Sequence, residues 1–194
     1  MKHIDIVIAT WNRHEKLKRT LHSIPKKSFI KINIIIDKGR DGAVYCRNLI
    51  IPNCYDGVLY ATDDMTFEPN AIENAFSSFN SHFPDDDGVV GFVQIPDNFH
   101  PTGVALVGQK FLQRYPSKQL FNPEYFHFAC QEVYWLASKL GKFHQEPTAV
   151  IRHYHPAFFR DEMDETHIEA RKYREKDHAL MKERKLKGLI WGYI

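Results

Sequence analysis

The stretch GVLYATDDMTFEPNAI, Gly57 to Ile72, joins an apolar run to two adjacent carboxylates, Asp63 and Asp64. Gly57-Val58-Leu59-Tyr60-Ala61 reads as a short buried strand. Pro69 reads as the first residue of a helix that sets Ala71, Ile72, Ala75, Phe76 and Phe79 on one face. The acidic pair therefore falls just past the C-terminal end of a strand and before a helix. In open α/β sheets, that edge is where ligands bind.

Working outward, the segment DIVIATWNRHEKLKRTLHSI has the same strand-then-helix form. Ile4, Ile6, Val7 and Ile8 are β-branched and nearly continuous, which suits a strand covered on both faces. Thr10 or Asn12 can cap the helix that follows, Leu17, Leu21 and Ile24 face inward, and Pro25 ends it. KINIIID, Lys31 to Asp37, predicts a second buried strand ending on a carboxylate, and AVYCRNLII a short helix. Three strands alternating with helices predict a parallel sheet with right-handed crossovers. Past Phe79 the order changes. The sequence predicts a further strand near GVVGFVQIP, a strand running into a helix at GVALVGQKFLQRY, an amphipathic helix at CQEVYWLASKLGKF, and a last short strand at AVIRHYHP. From Phe159 the chain is strongly charged, acidic first and then basic, and it closes on the apolar LIWGYI.

The 194 residues are enough for one domain with a substantial core. A hydrophobic content of 43% with 26% charged residues is that of a globular chain. The formal net charge of +2 is too small to indicate a nucleic-acid binder by itself. Cys46, Cys54 and Cys130 are odd in number and lack CxxC spacing, which predicts a reduced, cytoplasmic protein without a zinc cage. No apolar run approaches the roughly 20 residues a membrane span needs, and no signal-peptide pattern opens the chain.

Three groups of residues can carry chemistry. Neighbouring aspartates in a strand-end loop are hard oxygen donors suited to Mg²⁺ or Mn²⁺ shared with a phosphate; otherwise they are a solvated turn. His153 and His155, two apart on a strand, project to one side and can offer a metal ligand or phosphate contacts; otherwise they decorate a polar strand. Glu132 stands in the first turn of a helix, where the macrodipole alone favours a carboxylate, and where a general base for a hydroxyl could also sit.

The order of these groups resembles the GT-A glycosyltransferases, family 2 in particular. DIVIATWNRHEKLKRTLHSI is similar to that family's opening strand and helix, and GAVYCRNLII to its Gly-x-x-x-x-Arg-Asn segment. ATDDMTFEPNAIENAF resembles its DxD strand end, CQEVYWLASKLGKF its Glu-Asp helix, and AVIRHYHP its closing His segment. The resemblance covers about residues 3 to 156 and departs in places. Thr62 holds the first acidic position of the DxD, Gln131-Glu132 replaces Glu-Asp, and Asp37-Lys38 replaces a double aspartate. The Gln-x-x-Arg-Trp motif of processive synthases is missing.

The resemblance implies an α/β, Rossmann-like GT-A fold: a mixed, mainly parallel central sheet flanked by helices. Residues 1–158 would form the catalytic domain, and 159–194 a charged helical extension on or beside it. It implies transfer of a sugar from a nucleoside diphosphate, a UDP-sugar first among candidates, to an acceptor hydroxyl with inversion. Asp64, with His153 or His155, would ligate Mn²⁺ or Mg²⁺. Thr10, Trp11, Asn12, Arg13, Asp37, Arg47 and Asp63 would hold the nucleotide sugar, and Glu132 would be the base. A nucleotidyltransferase also places carboxylates and a metal at strand ends, and a non-catalytic nucleotide- or nucleic-acid-binding module could keep the fold. The basic tract from Arg171 to Lys187 is either a solvated helix face or a contact for an anionic acceptor such as DNA.

Overall fold

The computed structural model describes residues 1–96, 100–156 and 161–193. Its centre is a seven-stranded sheet in the order β2-β1-β3-β6-β5-β7-β4. The strands are β1 (Ile4–Thr10), β2 (Ile30–Ile36), β3 (Gly57–Ala61), β4 (Met65–Phe67), β5 (Val89–Ile95), β6 (Ala105–Val107) and β7 (Phe143–His153). β1 runs parallel to β2 and β3, and β5 parallel to β7. β6 is antiparallel to both its neighbours and β4 is antiparallel to β7, so most strands point one way. The helices are α1 (His14–His22), α2 (Ala43–Ile50), α3 (Ala71–His82), α4 (Gln109–Leu112), α5 (Cys130–Lys139) and α6 (Glu165–Leu186).

Side chains that alternate along a strand feed two cores. Ile4, Ile6, Ile8 and Leu59 face α1 and α3, where Ile72, Ala75 and Phe79 pack. Val7, Val58 and Tyr60 face the opposite layer with Val44, Phe111, Val133 and Leu136. This double cover is why β1 and β3 carry near-continuous apolar runs.

Several sequence expectations need correction. β2 is not a buried strand: it lies at the sheet edge, and Ile32, Ile34 and Ile36 are 40%, 42% and 57% exposed. α3 starts at Ala71 behind Asn70 rather than at Pro69. Neither Thr10 nor Asn12 caps α1; Arg13 takes the N-cap position without a side-chain bond. The last strand is not short, since β7 runs for 11 residues and bulges opposite Phe92 and Val93. The cysteines are all free. Among the described residues no helix is long and apolar enough to cross a membrane.

α6 lies along the body rather than beside it. Asp164 caps it and accepts the His167 N–H (3.0 Å). Midway, buried Asp177 accepts the backbone N–H groups of Phe126, His127 and Phe128 at 3.1, 2.8 and 3.1 Å. Leu180 and Met181 join the second core, as do Ile190 and Trp191 from the apolar end of the chain.

Candidate active site

Three strand ends converge. β1 delivers Thr10, β3 delivers Asp63 and Asp64, and β7 delivers His153. The short β4 sets the register, because Met65 pairs with His153 and the Tyr154 N–H donates to the Asp64 carbonyl (2.9 Å). His153 therefore arrives beside Asp64, with Nε2 3.2 Å from Oδ1.

Both aspartates are 3% exposed, so they are not a solvated turn. Asp63 accepts the Thr10 hydroxyl (2.6 Å) and Arg13 Nη1 (2.8 Å). Arg13 reaches Asp64 at 3.4 Å and forks onto Asp164 with two bonds of 2.9 Å. One buried guanidinium thus serves three carboxylates, which is the setting in which buried charges are tolerated. Burial pushes the Asp63 carboxyl up, opposed by Arg13. Burial acts on Asp64 in the same sense but is outweighed by the imidazoles of His153 and His167 and by Arg13, which hold its carboxyl well below the usual range.

His167 was not anticipated from the sequence. It sits at the third position of α6, its Nδ1 2.7 Å from Asp164 Oδ1 and its Nε2 2.9 Å from Arg13 Nη2. The Asp164 backbone N–H faces Nδ1 at 3.5 Å, which closes a capping box, and Arg13 Nη2, which can only donate, faces Nε2. The same Nε2 lies 3.4 Å from Asp64 Oδ2. A histidine oriented by a carboxylate at its far nitrogen is the arrangement that metal-binding imidazoles adopt. The signal in the sequence is the Asp164-x-x-His167 spacing of a helix start, which a reading of the tail as a charge run passes over. His155, past the end of β7, packs edge-on to His167 with ring centres 4.9 Å apart. Burial and the two neighbouring imidazoles push its pKa down to about 4.

The remaining predicted residues surround this cluster or stand apart from it. The Arg47 side chain is buried, donates to the Ala61 carbonyl (2.8 Å), and so braces the end of β3. Asp37 accepts the N–H groups of Asp41 and Gly42 at 2.8 and 2.9 Å, closing the loop after β2. The Trp11 ring lies under the Arg40 guanidinium (4.2 Å), and its carbonyl accepts the Thr166 hydroxyl (3.0 Å). Asn12 adopts a left-handed turn with φ of 51°. Glu132 is not joined to the cluster: at 2% exposure it accepts Tyr125 Oη (2.8 Å), Arg184 Nε (2.6 Å) and the Trp191 N–H (2.5 Å).

Among the described residues no three histidine, cysteine or carboxylate side chains form a ready-made cation cage. The donor set nevertheless fits a cation shared with a diphosphate. Imidazole nitrogens stand against both oxygens of the buried Asp64 carboxylate. Mg²⁺ and Mn²⁺ take hard oxygen donors and draw much of their shell from substrate phosphates.

This architecture is that of the GT-A glycosyltransferases. Staphylococcus aureus TarS (residues 1–349, in complex with UDP-GlcNAc) superposes with a TM-score of 0.62 at 13% identity, over 84% of this chain and 60% of that one. GalNAc-T7 with UDP, GalNAc and Mn²⁺ superposes with a TM-score of 0.62 at 12% identity, over 79% of this chain and 44% of that one. The chain thus spans about three fifths or less of these two solved chains. No family model and no curated protein matches the sequence.

Proposed function

We propose that the protein is a metal-dependent glycosyltransferase that moves a sugar from a UDP-sugar to an acceptor hydroxyl with inversion, the donor diphosphate lying over the Asp63–Asp64 strand end. The observation that carries this reading is Asp64: ionised, buried, and flanked by His153 and His167 at the edge where GT-A folds bind ligands. Asp64 with His153 and His167 would hold the cation, and His155 would stand behind them. When bound, the cation neutralises charge developing on the leaving diphosphate. Arg13 and Arg47 add fixed positive charge at the same strand end. Trp11, Asn12 and Asp37 form the floor on which base and ribose would lie. Glu132 is the acceptor-side base in this reading, and it takes the proton only after exchanging its bonds with Arg184 and the Trp191 N–H for one to the acceptor. Residues 159–194 act as an extension that supplies His167 to the donor side.

Calorimetry on Asp64→Asn tests this reading. The variant keeps volume and shape but removes the charge, so Mn²⁺-dependent UDP binding should weaken at least tenfold, on the scale of losses at metal-site residues. Unchanged binding would remove Asp64 from the site. Release of free UDP from a UDP-sugar supports sugar transfer, whereas release of pyrophosphate from a nucleoside triphosphate would make the protein a nucleotidyltransferase.

A further inference from the structure

We propose that this chain pairs with a second copy of itself through the open edge of β2, continuing the sheet across a twofold axis at Ile34. The direction of the main-chain groups carries the inference first. Phe29 C=O accepts the Ile4 N–H (2.7 Å), and the Asp37 N–H donates to Thr10 C=O (2.8 Å). The odd-numbered residues of this strand therefore face β1, and Ile30, Ile32, Ile34 and Ile36 turn their N–H and C=O groups outward. Local turns use two of these: the Ile30 N–H donates to Lys27 C=O (3.1 Å), and Ile36 C=O accepts the Lys38 N–H (2.9 Å). The only strand beside β2 among the described residues is β1.

Sheet edges are commonly protected by charge, proline, bulges or short length. β2 has seven residues, no proline, no bulge against β1 and one charge, Lys31. Its outward-facing residues Ile32, Ile34 and Ile36 also have exposed side chains. The strand thus presents outward backbone at Ile32 and Ile34, an outward N–H at Ile36, and apolar side chains at all three positions.

The sequence of β2 is complementary to itself when reversed. An antiparallel pair about Ile34 sets Ile34 opposite the partner's Ile34 and Ile32 opposite the partner's Ile36. Each such pair can exchange two N–H···O=C bonds, because these residues all face outward. The isoleucines of both copies then form one apolar row. On the other face Lys31, whose side chain is 70% exposed and whose ammonium lies 3.7 Å from Asp5 of its own chain, falls opposite the partner's Asp37, once at each end of the ladder. Moving the axis to Asn33 sets Lys31 against Ile35, and moving it to Ile35 sets Asn33 against Asp37, so charge selects Ile34. The opposite sheet edge, β4, has only three residues. The pairing is therefore isologous and closes at two.

Sedimentation velocity from about 1 to 100 μM, a range that brackets micromolar affinities, tests the proposal on the whole chain. The wild-type chain should shift to twice its mass with rising concentration. Ile34→Lys sets two ammonium groups face to face on the axis and should be monomeric throughout with an unchanged melting temperature. Should that variant melt early, Lys31→Glu carries the test: it sets like charges at both ends and should weaken the dimer by about two- to fivefold per pair. A wild-type chain that stays monomeric overturns the proposal, as does a dimer indifferent to both substitutions.

Discussion

Arg13 concentrates more interaction than any other residue of the site, because it is the common counter-ion of Asp63, Asp64 and Asp164. Replacing it with Met leaves buried carboxylates without their cation, a change that costs about 3–5 kcal/mol. For a chain of this size the melting temperature should fall on the order of 10 °C. Mn²⁺ should restore part of that loss, since it would supply charge at the same carboxylates; a melt shifted by under about 2 °C would show that Arg13 is dispensable. His155 gives a separate pH signature. With its pKa lowered to about 4 by burial and by His153 and His167, it stays neutral in the folded protein where an unfolded chain takes up a proton. Stability should therefore fall as pH drops from about 6.5 toward 4. His155→Gln should flatten the melting curve over that window, and identical pH profiles for variant and wild type would refute the shift. Asp64 and His153 were legible in the sequence because strand ends expose them, whereas His155, expected on the same strand, lies past its end. Arg13 was legible only as a donor-binding residue, since nothing in its neighbours reveals that it bridges three carboxylates.

At the level of elements, the parallel trio β1, β2 and β3 followed from alternating apolar runs and helix signals. The two features that give the site its shape did not. β4 has three residues, too few for periodicity to register, yet it aligns His153 with Asp64. β2 reads as buried because isoleucines dominate it, and a strand's composition does not say whether a neighbour exists on both sides. The relation between α5 and α6 is likewise tertiary. Glu132 has the helix-start position expected of it, but Arg184 and Trp191 approach it from about fifty positions away. Glu132→Gln separates its two roles. As base, its loss should slow sugar transfer about 10²- to 10⁴-fold with UDP affinity retained. As anchor alone, the change should lower the melt and leave transfer normal, an outcome that would move the base elsewhere. Arg184→Gln complements it: a freed carboxylate should leave transfer intact while the end of α6 loosens.

Across the whole molecule, the charged composition of residues 161–186 reads as a solvated surface helix, and most of its side chains do face water. Its fixed points are few: Asp164 and His167 at one end, Asp177 midway, Arg184 at the other. Each meets a partner that no local pattern could name, because the contacts join residues as far apart as Arg13 and His167, separated by 154 positions. The sheet and its two cores were readable from periodicity; a helix docked by isolated polar contacts and the pair Leu180 and Met181 was not.

That span also bears on synthesis. The aspartate pair leaves the ribosome well before the imidazole that completes its surroundings, which follows Arg13 by 154 positions. A nascent chain translated only through β7 has its sheet but neither His167 nor Asp164 to share Arg13, and Glu132 has no Arg184. Domains fold from the N-terminus during translation at about 5–20 residues per second. The proposed donor side of the site thus remains incomplete until α6 has been made and docked.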